Sequence, residues 1–167
     1  AVGRERAGLK IAMLMYEENA RKINATLEAI NPAATQDVIA LGRMDSMLEV
    51  RARLDQGYLV GMLADRRLGN DPTIACDFLG ASAEFPTGPW RVAAILKRPV
   101  FFMTGLYLGS NRYRIHFEPL ADFSGTRREN RDEAIAAAIT AYASRLEHYC
   151  RLAPYNWFNF FDFWQKP

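Results

Sequence analysis

The sequence predicts an α/β fold built on a mixed, mostly parallel sheet flanked by helices. Three observations carry that expectation. From Leu9 to Ala64, short apolar runs alternate with segments of helical period in the order β-α-β-α-β, which calls for parallel strands and right-handed crossovers. Later, Gly109-Ser110-Asn111 separates two apolar runs and reads as a hairpin, so antiparallel strands enter the second half. Finally, 167 residues, half of them apolar, suffice for one core. With no internal repeat, low-complexity tract or linker, residues 1–167 are expected to form a single domain.

Leu9 to Tyr16 is a nearly continuous apolar run, as in a strand covered on both faces. Glu18 to Ile30 places Ala20, Ile23, Leu27 and Ile30 on one helical face, and Asn31-Pro32 stops it. Asp37 to Leu41 is the second strand. Asp45 or Ser46 can cap a helix with Met47, Val50 and Leu54 on one side, and Gly57 ends it. Tyr58 to Ala64 is the third strand, Ile74 to Phe78 a short fourth, and Pro89 to Lys97 a helix. Val100 to Tyr107 and Tyr113 to Phe117 flank the hairpin turn. Asn130 with Glu133 resembles a capping box opening a helix whose seam is Ile135, Ile139, Tyr142, Leu146 and Tyr149. Pro154 closes that helix, and an aromatic-rich segment follows.

Composition narrows the function classes. A formal net charge of +2 gives no support for nucleic acid binding, although Arg66-Arg67, Lys97-Arg98 and Arg127-Arg128 with Arg131 are local basic clusters. Two cysteines outside any CxxC pair argue against a structural zinc or a disulfide framework, and favour a reducing compartment. No apolar run reaches the ~20 residues a membrane span needs. No signal peptide is visible, and the chain starts at Ala1, as a fragment would.

The chemistry-bearing stretch lies between Tyr58 and Val100. An apolar strand ends abruptly in Asp65-Arg66-Arg67, and a Gly/Asn/Pro loop follows. Polar groups at the carboxyl end of a strand are where open α/β proteins place their sites. Several motifs stand around it in order: Gly42-Arg43-Met44-Asp45, Leu54-Asp55-Gln56-Gly57-Tyr58, Asp65, Phe78-Leu79-Gly80-Ala81 with Ala83, and Pro154-Tyr155-Asn156-Trp157. Together they resemble the carboxyl-terminal half of the lysophospholipid acyltransferase superfamily, and within it the lipid A biosynthesis (lauroyl/myristoyl-type) branch of Gram-negative bacteria.

That resemblance covers nearly the whole chain and implies a glycerol-3-phosphate acyltransferase-like fold, incomplete on its amino-terminal side. It implies transfer of a fatty acyl chain from acyl carrier protein, or less readily coenzyme A, to a hydroxyl of a lipid A-like glycolipid. It also implies peripheral membrane contact at the cytoplasmic face of the inner membrane. Attack on a thioester needs no metal, and no cofactor is expected. Two departures stand out. Arg66 occupies a position where the family usually carries Gln. The family's base, a His followed five positions later by Asp or Glu, is missing: five residues past His116 and His148 lie Ala121 and Ala153. The resemblance therefore places the catalytic pair outside this chain, upstream.

Arg43, Asp65, Arg66 and Arg67 are the candidate substrate-binding residues. The Arg43 fork suits a phosphate or a developing oxyanion; the alternative is a surface ion pair with Asp45 or Glu49. Asp65 can orient Arg43 or Arg66, accept a sugar hydroxyl, or merely cap loop amides. Arg66 and Arg67 can hold glycolipid phosphates or an acidic carrier, with Arg67 the more readily just solvated. His116, inside a strand, and His148, near a helix end where a cation suits the dipole, read as structural. The Tyr155–Trp164 segment is expected to pack onto the sheet, with membrane contact at its edge. A competing reading is a non-catalytic module that binds an anionic ligand or partner through these groups. An incomplete sheet also leaves an edge open, expected to pair with a second chain or with an upstream segment.

Overall fold

The computed structural model describes residues 8–16, 21, 37–41, 45–66, 71–159 and 162–164. The chain divides into two compact units, Ala1–Leu63 and Ala64–Pro167. The expected helix over Glu18 to Ile30, apart from Arg21, lies outside the described residues. The α/β class holds, but the described strands form three separate ladders: one parallel and two antiparallel.

The first unit contains β1 (Ile11–Tyr16), β2 (Asp37–Leu41), α1 (Ser46–Asp55) and β3 (Leu59–Met62). All three strands run parallel in the order β2-β1-β3. Central β1 pairs Leu14 with Ile39 on one side and with Met62 on the other. Ala12, Leu14, Ile39 and Val50 are its buried apolar residues. Asp45 occupies the N-cap of α1 without a side-chain cap bond, and the Ser46 hydroxyl instead donates to the Ala40 carbonyl. Gly57 ends the helix as expected. Its φ of +81° lets the Gly57 amide reach Leu54 and the Tyr58 amide reach Arg53, both at 3.0 Å, closing the last turn as a Schellman motif. Arg53 ties the helix back to β2 through an ion pair with Asp37.

The second unit begins with a hairpin, β4 (Thr73–Phe78) and β5 (Ala81–Pro86). The sequence reading missed β5. Its turn is Leu79-Gly80, with φ values of +54° and +92°. Two successive left-handed residues make the tight turn a hairpin favours, but leucine in the first is not a turn signal. The Glu147 carboxylate holds the Leu79 amide at 3.0 Å, so a tertiary contact stabilises a conformation that leucine does not choose alone.

Next comes α2 (Gly88–Ile95), with Pro89 in its first turn and Trp90, Ala93 and Ala94 buried. Lys97, at φ +52°, takes the left-handed position after this helix, and the Arg98 amide returns to Ala93 at 3.0 Å. β6 (Pro99–Tyr107) and β7 (Tyr113–Asp122) form a long antiparallel ladder with a register shift at Val100/Phe101. A 3-10 turn over Arg128–Asn130 then leads into α3 (Arg131–Leu152). The expected capping box does not form: Asn130 makes no side-chain cap bond, and the 3-10 turn satisfies its amide instead. Within the expected α3 seam, Ile135, Ile139, Leu146 and Tyr149 are buried. No helix among the described residues is long and apolar enough to cross a membrane.

Phe78, fully buried, sits at the centre of this unit's core. Its ring lies 5.5 Å from Phe85, 5.3 Å from Trp157 and 5.4 Å from Phe163. The Trp164 indole N–H donates to the Phe78 carbonyl at 3.2 Å. The aromatic tail thus packs into the core, as expected, while Tyr155 and Phe158 remain exposed. Phe78→Ala should cost about 3–5 kcal/mol of stability and loosen the tail with it. Chemical denaturation with near-UV circular dichroism checks both, and a cost below about 1 kcal/mol would contradict this role.

Candidate functional site

Of the four candidate binding residues, Arg43 and Arg67 lie outside the described residues; Asp65 and Arg66 are described and belong to the second unit. They directly follow Ala64, a buried member of that unit's core. Asp65 keeps only 14% of its side chain exposed, and Arg66 stands at its shoulder with Nε 3.6 Å from Oδ1. That Oδ1 is sealed from solvent and has no hydrogen-bond donor among the described residues. A carboxylate oxygen in such a position is costly unless something completes it.

Two groups on α3 feel this carboxylate. Burial pushes the Tyr142 hydroxyl well above its ordinary range, with Asp65 adding to the effect and Arg66 opposing it. Burial likewise raises the Cys150 thiol, with help from Asp65 and then Glu147, to about 11. Both groups therefore stay neutral at physiological pH. Tyr142 is fixed by aromatic contacts, its ring 5.4 Å from Trp90 and 5.6 Å from Phe102. Cys150 is buried and free, as is Cys76, so no disulfide joins them. The site is thus a half-sealed carboxylate beside a neutral phenol and thiol, with one guanidinium at its mouth. It can accept a hydroxyl and attract an anion.

The histidines lie elsewhere in this unit. His116 and Glu118, two apart on β7, share the face of the hairpin turned toward α3. The Tyr149 hydroxyl donates to Glu118, and Arg145 Nη2 reaches the two carboxylate oxygens at 2.9 and 2.7 Å. His116 packs its ring 4.7 Å from Tyr149. The sequence reading had found no acid to work with His116, because its partner sits across a strand repeat rather than at the family's spacing. Strand periodicity was the available signal. Glu118 is nonetheless fully engaged by Tyr149 and Arg145, and its pKa is lowered by the Tyr149 hydrogen bond first and then by Arg145. It clamps helix to hairpin.

His148 lines an open groove of about 620 Å³ between α3 and the β4–β5 hairpin, together with Asp77, Ser82, Thr140, Ser144 and Glu147. Glu147, the adjacent acid, is taken by the Leu79 amide and by Arg151 Nε at 2.8 Å. It therefore does not orient the imidazole as a catalytic acid would. Among the described residues no three His, Cys, Asp or Glu side chains converge as metal ligands would.

Two of the motifs quoted for the resemblance are architectural where the structure describes them. Phe78 is the core hub, Gly80 completes the left-handed turn, and Ala83 is buried against them. Pro154 opens a 3-10 turn, the Asn156 side-chain Oδ1 accepts from the Tyr107 amide, and Trp157 packs edge-on against Phe78. A family model described as bacterial lipid A biosynthesis acyltransferase matches residues 7–166. The chain belongs to that family. No curated protein matches it significantly. Membership agrees with the motif order read from the sequence and makes this an acyltransferase-family chain of lipid A biosynthesis.

Two outcomes test the local electrostatics. In a Cys76→Ala background, Asp65→Asn should move the alkylation profile of Cys150 to lower pH, because a carboxylate that raises the thiol pKa has gone. The move should be smaller than the whole elevation, since burial is the larger cause; an unchanged profile would separate the two groups. For stability, Glu118 and Glu147 both have pKa values below the ordinary 4.5. Their contribution is complete well above pH 4.5 and drains as pH falls through the depressed folded values. Glu118→Gln with Glu147→Gln should flatten the loss of stability as pH falls below 4.5, read by urea midpoints across the acid range.

Proposed function

We propose that this chain supplies the substrate-binding part of an acyltransferase that moves a fatty acyl group to a hydroxyl of a lipid A-like glycolipid. The donor is an acyl thioester on acyl carrier protein, or less readily on coenzyme A. The observation that carries the reading is Asp65, whose Oδ1 has no hydrogen-bond donor among the described residues while Arg66 stands beside it. A sugar hydroxyl completes the carboxylate, and a phosphate on the acceptor pairs with the guanidinium. Arg43 and Arg67 are proposed as further anion-binding groups.

In acyl transfer, the acceptor oxygen attacks the thioester carbonyl, its proton passes to a base, and the thiolate leaves. The family's base is a His with an acid five positions on, and neither histidine of this sequence has one. Asp65 in this reading holds the hydroxyl and does not take its proton. The His/acid pair is supplied from outside this sequence, and the chain alone binds without turning over. Its place is the cytoplasmic face of the inner membrane, where donor and acceptor meet.

The missing base also favours one competing reading, a module that binds an anionic ligand and performs no chemistry. A single pair of experiments separates them. The chain and a longer version carrying a His-x4-Asp/Glu motif are assayed for transfer from acyl carrier protein. Turnover only in the longer version is expected, and turnover by the short chain would overturn the account of the base. Arg66→Glu should weaken binding of a phosphorylated glycolipid about tenfold or more, as loss of a charged hydrogen bond does. Titration calorimetry reads this directly; no change would remove Arg66 from the site.

A further inference from the structure

The β6–β7 hairpin has two unlike faces. Phe102, Leu106, His116 and Glu118 face α3 and are consumed by it. The alternate residues pair as Phe101↔Pro119, Met103↔Phe117, Gly105↔Ile115 and Tyr107↔Tyr113. This second face bears no charge along its length. Phe101 and Phe117 stack on it at 4.8 Å, and its large side chains remain in solvent: Met103 is 65% exposed, Ile115 63% and Tyr113 66%. Six strand steps from Phe101 to Tyr107 give a strip about 20 Å long. Soluble proteins rarely leave so continuous an apolar strip without a partner.

The charge around the strip says which partner. Residues 99–117 contain no carboxylate; Arg112 stands at the turn beside Tyr107, Leu108 and Tyr113, and Arg114, paired with Leu106, lies at the same tip on the alternate side. An apolar face edged by tyrosines and arginines matches an anionic lipid surface, where acyl chains meet the face and headgroup phosphates meet the cations. A second copy of the same strip offers no counter-charge to those arginines. We propose that the outer face of β6–β7 is a lipid-docking surface. It seats this unit against an anionic bilayer, with the hairpin tip at the headgroups. The inference deepens the acyltransferase reading, whose substrates are lipids, but it uses residues separate from Asp65 and Arg66.

The test is flotation of the whole chain with vesicles of phosphatidylcholine alone and of phosphatidylcholine mixed with phosphatidylglycerol. The expected result is binding to the mixed vesicles that weakens as salt is raised. Met103→Asp with Ile115→Asp, both at exposed positions, should lower that binding about tenfold or more at an unchanged melting temperature. Arg112→Glu with Arg114→Glu should reduce binding to anionic vesicles and remove its salt dependence. Either double variant should leave calorimetric binding of the soluble phosphorylated headgroup intact, so loss of the Arg66 site and loss of docking read separately. Equal flotation of wild type and Met103/Ile115 variant would overturn the proposal. So would failure of the wild type to bind, or a dimer in sedimentation that the Met103/Ile115 variant abolishes.

Discussion

The second unit is organised around one buried ring. Phe78 ends β4, and among the described residues its ring is met by Phe85 from the next strand and by Trp157, Phe163 and Trp164 from beyond α3. Edge-to-face and tilted contacts at 5–6 Å let several aromatics share one centre without voids. The residue after it, Leu79, must then turn the chain in a left-handed conformation, and Glu147 from α3 secures that turn. One ring thus fixes where hairpin, long helix and tail converge. Asp65 is tied to the same helix electrostatically, since its charge helps raise the pKa values of Tyr142 and Cys150.

The elements that were legible in the sequence are those whose signals are local and agree with one another. β2 runs over Asp37–Leu41 as expected, α1 stops at Gly57, and the hairpin tip falls at Gly109-Ser110-Asn111. β5 was illegible because its turn relies on a leucine held by a carboxylate 68 positions away, and no local window contains both. The capping box at Asn130 misled for the opposite reason. Its residues satisfy the pattern, but a 3-10 turn had already satisfied the amide. The three parallel strands form one sheet as the β-α-β-α-β order implied, while the later strands pair in two antiparallel ladders of their own.

The sequence singled out Asp65 and Arg66 through their position after an apolar strand. It could not see Tyr142 or Cys150 as their neighbours, since α3 reads simply as an amphipathic helix. The motifs that carried the resemblance at Phe78, Ala83 and Trp157 serve packing. His116 and Glu118 show how proximity alone misleads. An imidazole and a carboxylate meet on one face of a strand, yet the acid is committed to Tyr149 and Arg145. Catalysis needs an uncommitted partner as well as a near one.

The hydrogen bond from Trp164 to the Phe78 carbonyl spans 86 positions of sequence. During synthesis, β4 emerges from the ribosome long before the indole that covers it. The nascent hairpin must wait with a phenylalanine bare, a state in which chains are prone to stick to one another. A core closed in this way is complete only once the indole has been made.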